Sequence, residues 1–127
     1  MGDNYYGWRT RIGLLTPSVN TVTEVEFARH LPDGVTTHAA RLGLPSPVDV
    51  EAVRRMNDDV PQACDLLVDV HPDVAVYGVT SGSFVDGKGG DVALEEDISD
   101  RLGVPCVATA AAARRAFDAL GIDSLVI

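Results

Sequence analysis

The chain has 127 residues, 46% of them hydrophobic, enough for one domain closed around one core and too apolar for a disordered polymer. Acidic residues outnumber basic ones 19 to 10, giving a net charge of −9, and Lys88 is the single lysine, so no basic face exists for neutralising phosphates and a nucleic-acid partner is excluded. No apolar run approaches the roughly 18 residues of a membrane span, and the N-terminal MGDNYYGWRT lacks the apolar core of a signal peptide, so the chain reads as cytoplasmic with no membrane partner.

Residues 1–10 form an N-terminal arm that carries Trp8. Residues 11–16 (RIGLLT) read as a buried first strand ended by Pro17, and residues 21–31 as a helix with Val22, Val25 and Phe27 for its inner side. A second strand covers residues 34–42. Ser46 stands three residues before Asp49 in the manner of a capping box, with Pro47 at the first helical position. The helix that follows, about 47–70, repeats Val53, Met56, Val60, Cys64 and Leu67 at three- and four-residue steps and should kink at Pro61.

Residues 73–79 form the third strand, and a loop rich in small residues runs from Gly78 to Gly90. Beyond it Val92, Leu94, Ile98 and Leu102 mark a helix stopped by Gly103, and residues 104–108 a fourth strand. Thr109 is placed to cap a last helix with Ala113, Ala116, Phe117 and Leu120 on one face, ending at Gly121. Residues 124–127 begin a fifth strand, so residues 11–123 read as the first α/β domain of a two-domain enzyme and 124–127 as a strand leading into a second half.

Alternating strands and helices define an α/β class: an open parallel sheet in a Rossmann- or flavodoxin-like three-layer α/β/α arrangement. Right-handed crossovers give the order 2-1-3-4. Strands one and three are then neighbours whose chains leave toward opposite faces, opening a crevice at their carboxyl ends. Two loops border it, Pro17-Ser18-Val19-Asn20-Thr21 and Val79-Thr80-Ser81-Gly82-Ser83, and both offer hydroxyl or amide donors to an anion.

Other chemistries fit the residues less well. Gly82, Gly87 and Lys88 match most of a phosphate loop, but Gly89 stands where Ser or Thr should ligate Mg²⁺, and Asp86 would face the phosphates. A receiver-type phosphoacceptor needs acidic residues where Thr16-Pro17-Ser18 stand, and a flavin would want aromatic faces from a chain only 6% aromatic. Cys64 and Cys106 lack CxxC spacing and read as structural thiols; no metal or other cofactor is implied. His30 and His71, near helix ends, read as solvated or dipole-satisfying groups.

GLLTPSVNT after the first strand, HAARLGL after the second and YGVTSGSF after the third together resemble the maleate cis–trans isomerase and arylmalonate decarboxylase group of the aspartate/glutamate racemase superfamily, from about Arg11 onward. In that group two similar halves of one chain enclose a small carboxylate. The resemblance therefore implies half of a cofactor-independent small-carboxylate enzyme, inactive by itself, with a mono- or dicarboxylate as substrate. It matches Asn20, flanked by Ser18 and Thr21, to the carboxylate-holding asparagine. Thr80 and Ser81, with Gly82, match the pair that stabilises an enediolate, where preorganised donors are worth about 3–4 kcal/mol each. Arg41, with His38, matches a His-x-x-Arg pattern and reads as a structural ion pair at a strand end. Val79 occupies the position of the cysteine that isomerases and racemases carry; a valine neither attacks an alkene nor removes a proton, which favours decarboxylase-like chemistry with a thiol from the second half, whereas the Asn20-bearing first loop favours the isomerase branch, and both chemistries stay open. The alternative is a degenerate anion-binding or assembly module. A half-interface left open would self-associate into a homo-oligomer.

An acid-rich chain with one lysine suits a high-salt medium, where counterions screen its self-repulsion. Refolding yield and melting temperature should rise as salt is titrated from low to molar concentration; a flat profile would contradict this.

Overall fold

The computed structural model describes residues 6–125. Strand β1 (Thr10–Pro17) is buried at every position from Ile12 to Thr16, as a strand covered on both faces must be. It pairs in parallel with β2 (Val35–Leu42) on one side and β3 (Val74–Tyr77) on the other, and β3 pairs in parallel with β4 (Cys106–Ala108). The sheet order is β2-β1-β3-β4, the order that right-handed crossovers require.

Among the described residues six helices accompany these strands: α1 (Thr23–His30), α2 (Val50–Asn57), α3 (Val60–Val68), α4 (Thr80–Phe84), α5 (Gly90–Leu102) and, after β4, α6 (Thr109–Leu120). Strand alternation sends Leu15, Ala40, Leu42, Ala75, Tyr77, Cys106 and Ala108 to one face, where they pack with Met56, Val60, Cys64 and Leu67 from α2 and α3 and with Ile98 and Leu102 from α5. The other face carries Ile12, Leu14 and Thr16. It is the α1 side: Leu14 and Thr23, the first residue of α1, both reach the space over Gly78. No helix among the described residues is long and apolar enough to cross a membrane.

Several local features differ from the sequence reading. The 47–70 helix is two helices, interrupted at Asp58 and Asp59 rather than kinked at Pro61. The amides of Asp58 and Asp59 close three-residue turns on Arg55 and Met56, and Pro61 sits in the first turn of α3, where its missing N–H costs nothing. The Asp59 carboxylate accepts from the Gly43 amide (2.8 Å), which pins this break to the end of β2. The cap of α2 is Asp49, accepting from the Ala52 amide at 2.7 Å, so Ser46 and Pro47 lie outside the helix.

The 78–90 segment is not one loop: α4 occupies its first half. Helix α1 has no buried residue, and Val22 and Val25 are exposed, because the helix packs at the β2 edge of the sheet. In α5 the buried positions include Asp91 and Glu95, whereas Val92 is exposed. The cause lies across the chain on α6, where Arg114 pairs with Asp91 (2.5 Å) and Arg115 with Glu95 (2.7 Å). Glu95 also accepts from the Ala108 amide at 2.8 Å. Thr109 does not cap α6: its hydroxyl donates to the Tyr77 carbonyl (2.9 Å) and ties β4 to β3. Of α6 only Ala111 is buried, so Ala113, Ala116 and Leu120 face outward. Residues 124 and 125 adopt no strand; residues 1–5 of the arm and 126–127 of the expected fifth strand lie outside the described residues.

Asp49→Ala removes the cap of α2 and should cost about 1 kcal/mol. Urea unfolding would show it as a lower midpoint at unchanged slope, whereas an unchanged midpoint would contradict the assignment.

Candidate functional site

Where β1 ends, the backbone is held from three directions. The Ser18 amide donates to Leu42 (2.7 Å) and the Ser18 hydroxyl accepts from the Leu44 amide (3.1 Å), fastening this loop to the exit of β2. Arg41 donates to the carbonyls of Ser18 (3.2 Å) and Asn20 (2.7 Å) and pairs with Glu24 of α1. The guanidinium therefore clasps the loop, as its fork of donors allows. Asn20 Oδ1 accepts from the amides of Val22 and Thr23, each at 2.9 Å, and so turns the chain into α1. Its Nδ2 has no partner among the described residues and is a donor this loop leaves over. Thr21 is exposed.

At the end of β3, Gly78 closes the last rung by donating to Leu15 (2.8 Å), and Val79 enters the core at 5% exposure. Thr80 and Ser81 then open α4 and are exposed, whereas Gly82 and Ser83 are buried. Four poor helix formers in five residues, Thr80, Ser81, Gly82 and Ser83, need outside support. Ser83 Oγ donates to the Thr80 carbonyl (2.8 Å) and accepts from the Ala110 amide (3.2 Å) of α6. From the other side the Tyr77 hydroxyl donates to Asn57 Oδ1, and Asn57 Nδ2 donates to the Gly82 carbonyl at 3.0 Å. A Cβ on Gly82 would overlap the Tyr77 hydroxyl, which accounts for the glycine.

The start of α1 approaches the end of β3 over Gly78, where the methyl of Thr23 lies 3.8 Å from the position a Cβ would take, but neither the pocket beside Ser81 nor the one beside Thr80 includes Asn20. Thr80 and Ser81, adjacent in sequence, open on different flanks of α4. Ser81 borders a pocket of about 440 Å³ with Val48, Val50, Val53 and Phe84, and Thr80 one of about 550 Å³ with Phe84, Ala113 and Phe117. Thr16, the last buried residue of β1, carries a hydroxyl oxygen with no hydrogen-bond partner among the described residues. A threonine closing an apolar strand was the signal available for it. Asn57 and Tyr77 gave none, because their partnership spans 20 residues and two elements.

The Gly82-to-Lys88 run folds as helix and turn, with the Gly82 carbonyl held by Asn57, rather than as an open cradle of amides. Both cysteines are buried. Burial pushes the Cys64 thiol up to about 11 and, with Glu95 nearby, the Cys106 thiol up to about 12, so neither supplies a thiolate near neutrality. Arg114, by its hydrogen bond, holds the Asp91 carboxyl below its ordinary range. Above pH 9 the unfolded chain, with thiols ionising near 9.0, binds fewer protons than the native one, so stability falls with pH from there to about 11–12. Denaturant titrations at pH 8, 9 and 10 should show this decline, and neither thiol should react with a thiol reagent in the native state at pH 8; rapid native labelling would contradict their placement.

The fold defines a class: an open parallel α/β domain whose topological switch point lies between β1 and β3. No protein-family model matches the chain, nor does any curated protein. Solved structures do. The maleate cis-trans isomerase of Nocardia farcinica bound to TRIS aligns with a TM-score of 0.76 at 23% identity, over 88% of this chain and 49% of that one. The maleate isomerase of Pseudomonas putida aligns at 0.77 and 24% identity, over 88% and 50%. A liganded double mutant of arylmalonate decarboxylase aligns at 0.76 and 27% identity, over 88% and 47%. These neighbours come from the group that the three motifs resemble, and the chain spans about half the length of each.

Proposed function

We propose that this chain forms one half of a small-carboxylate site, in which Thr80 and Ser81 donate to a substrate carboxylate and to the enediolate it becomes. Asn20 Nδ2, flanked by Ser18 and Thr21, is a further donor to the carboxylate. The observation that carries this reading is the exposed Thr80-Ser81 pair at the carboxyl end of β3, the strand paired with the β1 from which the Asn20 loop leaves, in a fold shared with arylmalonate decarboxylase at 27% identity. Hydroxyl and amide donors suit the task because they stabilise developing negative charge without bringing a titrating group into the cleft.

In this reading the bond from the substrate carbon to one carboxylate breaks, carbon dioxide leaves, and the electron pair moves onto the remaining carboxylate as an enediolate held by Thr80 and Ser81. A proton then returns to carbon from an acid in a second α/β half. Two features support an outside acid. The buried Val79 stands where two-thiol chemistry would need a cysteine, and the two thiols present are buried and protonated. The same features favour, as a second reading, a carboxylate-binding or assembly module that performs no chemistry.

Phenylmalonate and maleate, titrated calorimetrically, should bind the chain, and Thr80→Ala and Ser81→Ala should each weaken binding about tenfold, the effect of one hydrogen bond to a charged group. Affinity unchanged in both variants would overturn the assignment. The chain alone should turn over neither compound; turnover would refute the half-site account. If a second half bearing a thiol restores turnover, the enzyme reading stands, and binding without turnover in that assembly selects the module.

A further inference from the structure

We propose that Asn57 and Tyr77 are positioning residues for the candidate carboxylate site, holding α4 through the Gly82 carbonyl so that Thr80 and Ser81 stay presented to the cleft. The inference rests on the functional reading above and extends it to two residues that touch no part of the cleft themselves.

Sequence, packing and hydrogen bonding converge on this relay. Helix α4 is five residues long and built from Thr-Ser-Gly-Ser-Phe, so it has neither the length nor the propensity to hold itself. Tyr77 is fully buried, and its hydroxyl finds its partner in Asn57 Oδ1. The Gly82 carbonyl can only accept, which fixes the Asn57 amide with its nitrogen toward Gly82 and its oxygen toward Tyr77, whose hydroxyl then donates. The reversed amide would set two acceptors, Asn57 Oδ1 and the Gly82 carbonyl, against each other. The Gly82 carbonyl therefore receives a directed hydrogen bond of 3.0 Å rather than a loose contact.

Gly82 follows directly on the two hydroxyl residues, so a shift of its carbonyl is passed to Thr80 and Ser81 within one helical turn. The missing Cβ at Gly82 lets the Tyr77 oxygen lie against the α4 backbone, and a side chain there would push α4 away from β3. Arg54, one turn earlier on α2, adds a second hold: it donates to the Val85 carbonyl (3.4 Å) and pairs with Asp86 (3.3 Å). These two contacts are exposed and contribute little. The buried Tyr77–Asn57–Gly82 chain is the one whose loss leaves unpaired polar groups inside the protein.

The test compares Asn57→Ala and the milder Tyr77→Phe with Leu67→Ala, a core substitution remote from α4, in the full chain. Amide chemical shifts of Thr80 and Ser81, affinity for phenylmalonate and thermal midpoint are read for each. Asn57→Ala should move both amides in the free protein and weaken phenylmalonate at least fivefold, with Tyr77→Phe changing both in the same direction. Leu67→Ala should lower the midpoint as much or more while affinity stays within twofold of the parent. Unmoved Thr80 and Ser81 amides with parental affinity in Asn57→Ala would overturn the proposal, and so would an equal loss of affinity in Leu67→Ala, which would make the effect one of stability alone. If Asn57→Ala does not fold, Tyr77→Phe decides by the same two readouts. If the parent binds no carboxylate, the functional reading fails, and the amide shifts alone decide whether the relay positions α4.

Discussion

Parallel pairing of β1 with β3 sets Leu15 opposite Tyr77 and puts the Gly78 amide on the Leu15 carbonyl, so the two strands stop side by side while their chains depart toward opposite faces. The donor-bearing elements follow from that constraint. On one side the chain turns through Ser18 and Asn20 into α1; on the other it passes the buried Val79 into α4. Without this adjacency the exits of β1 and β3 would belong to unrelated parts of the surface.

The residues that shape the cleft divide into those that present donors and those that are consumed in holding the presenters still. Arg41, Asn57, Tyr77, Ser83 and Thr109 are of the second kind: each has its polar atoms committed to backbone or side-chain partners in neighbouring elements. Asn20 is of both kinds, because its carbonyl oxygen turns α1 while its amide nitrogen is left as a donor. Turning the chain into α1 and donating to a ligand are therefore compatible roles for Asn20, since they use different atoms. Apolar side chains surround the hydroxyl pair, with Val48, Val50 and Phe84 exposed around α4 and Ala113 on the open face of α6. Such a rim fits a site that is closed by a second domain, as a lone half of a two-half cleft would be.

The sheet order was legible because apolar runs of four to eight residues mark buried strands and crossover handedness leaves few topologies. Thr80 and Ser81 were legible as candidates for the same reason, lying where such a sheet puts its ligand. Helix α4 was not. TSGSF has weak helix propensity, and what makes it helical is the Ser83 bond to α6 and the Asn57 bond from α2, both tertiary. The inward face of α5 was misread at Val92 because burial of Asp91 and Glu95 depends on arginines 20 or more residues away on α6. At α2 the competition was local: Ser46 and Asp49 are both good capping residues, and the Asp49 carboxylate holds the Ala52 amide. Gly82 read as part of a ligand cradle and is explained by the tyrosine packed against it, a contact visible only in three dimensions.

The central claim is that a carboxylate binds where the β1 and β3 chains diverge. It is tested most directly by mapping backbone amide perturbations across the whole chain during titration with phenylmalonate. The account predicts saturable shifts concentrated in residues 18–23 and 78–84 and small elsewhere. Shifts centred on the 85–90 turn, or spread without saturation over the acidic surface, would contradict it.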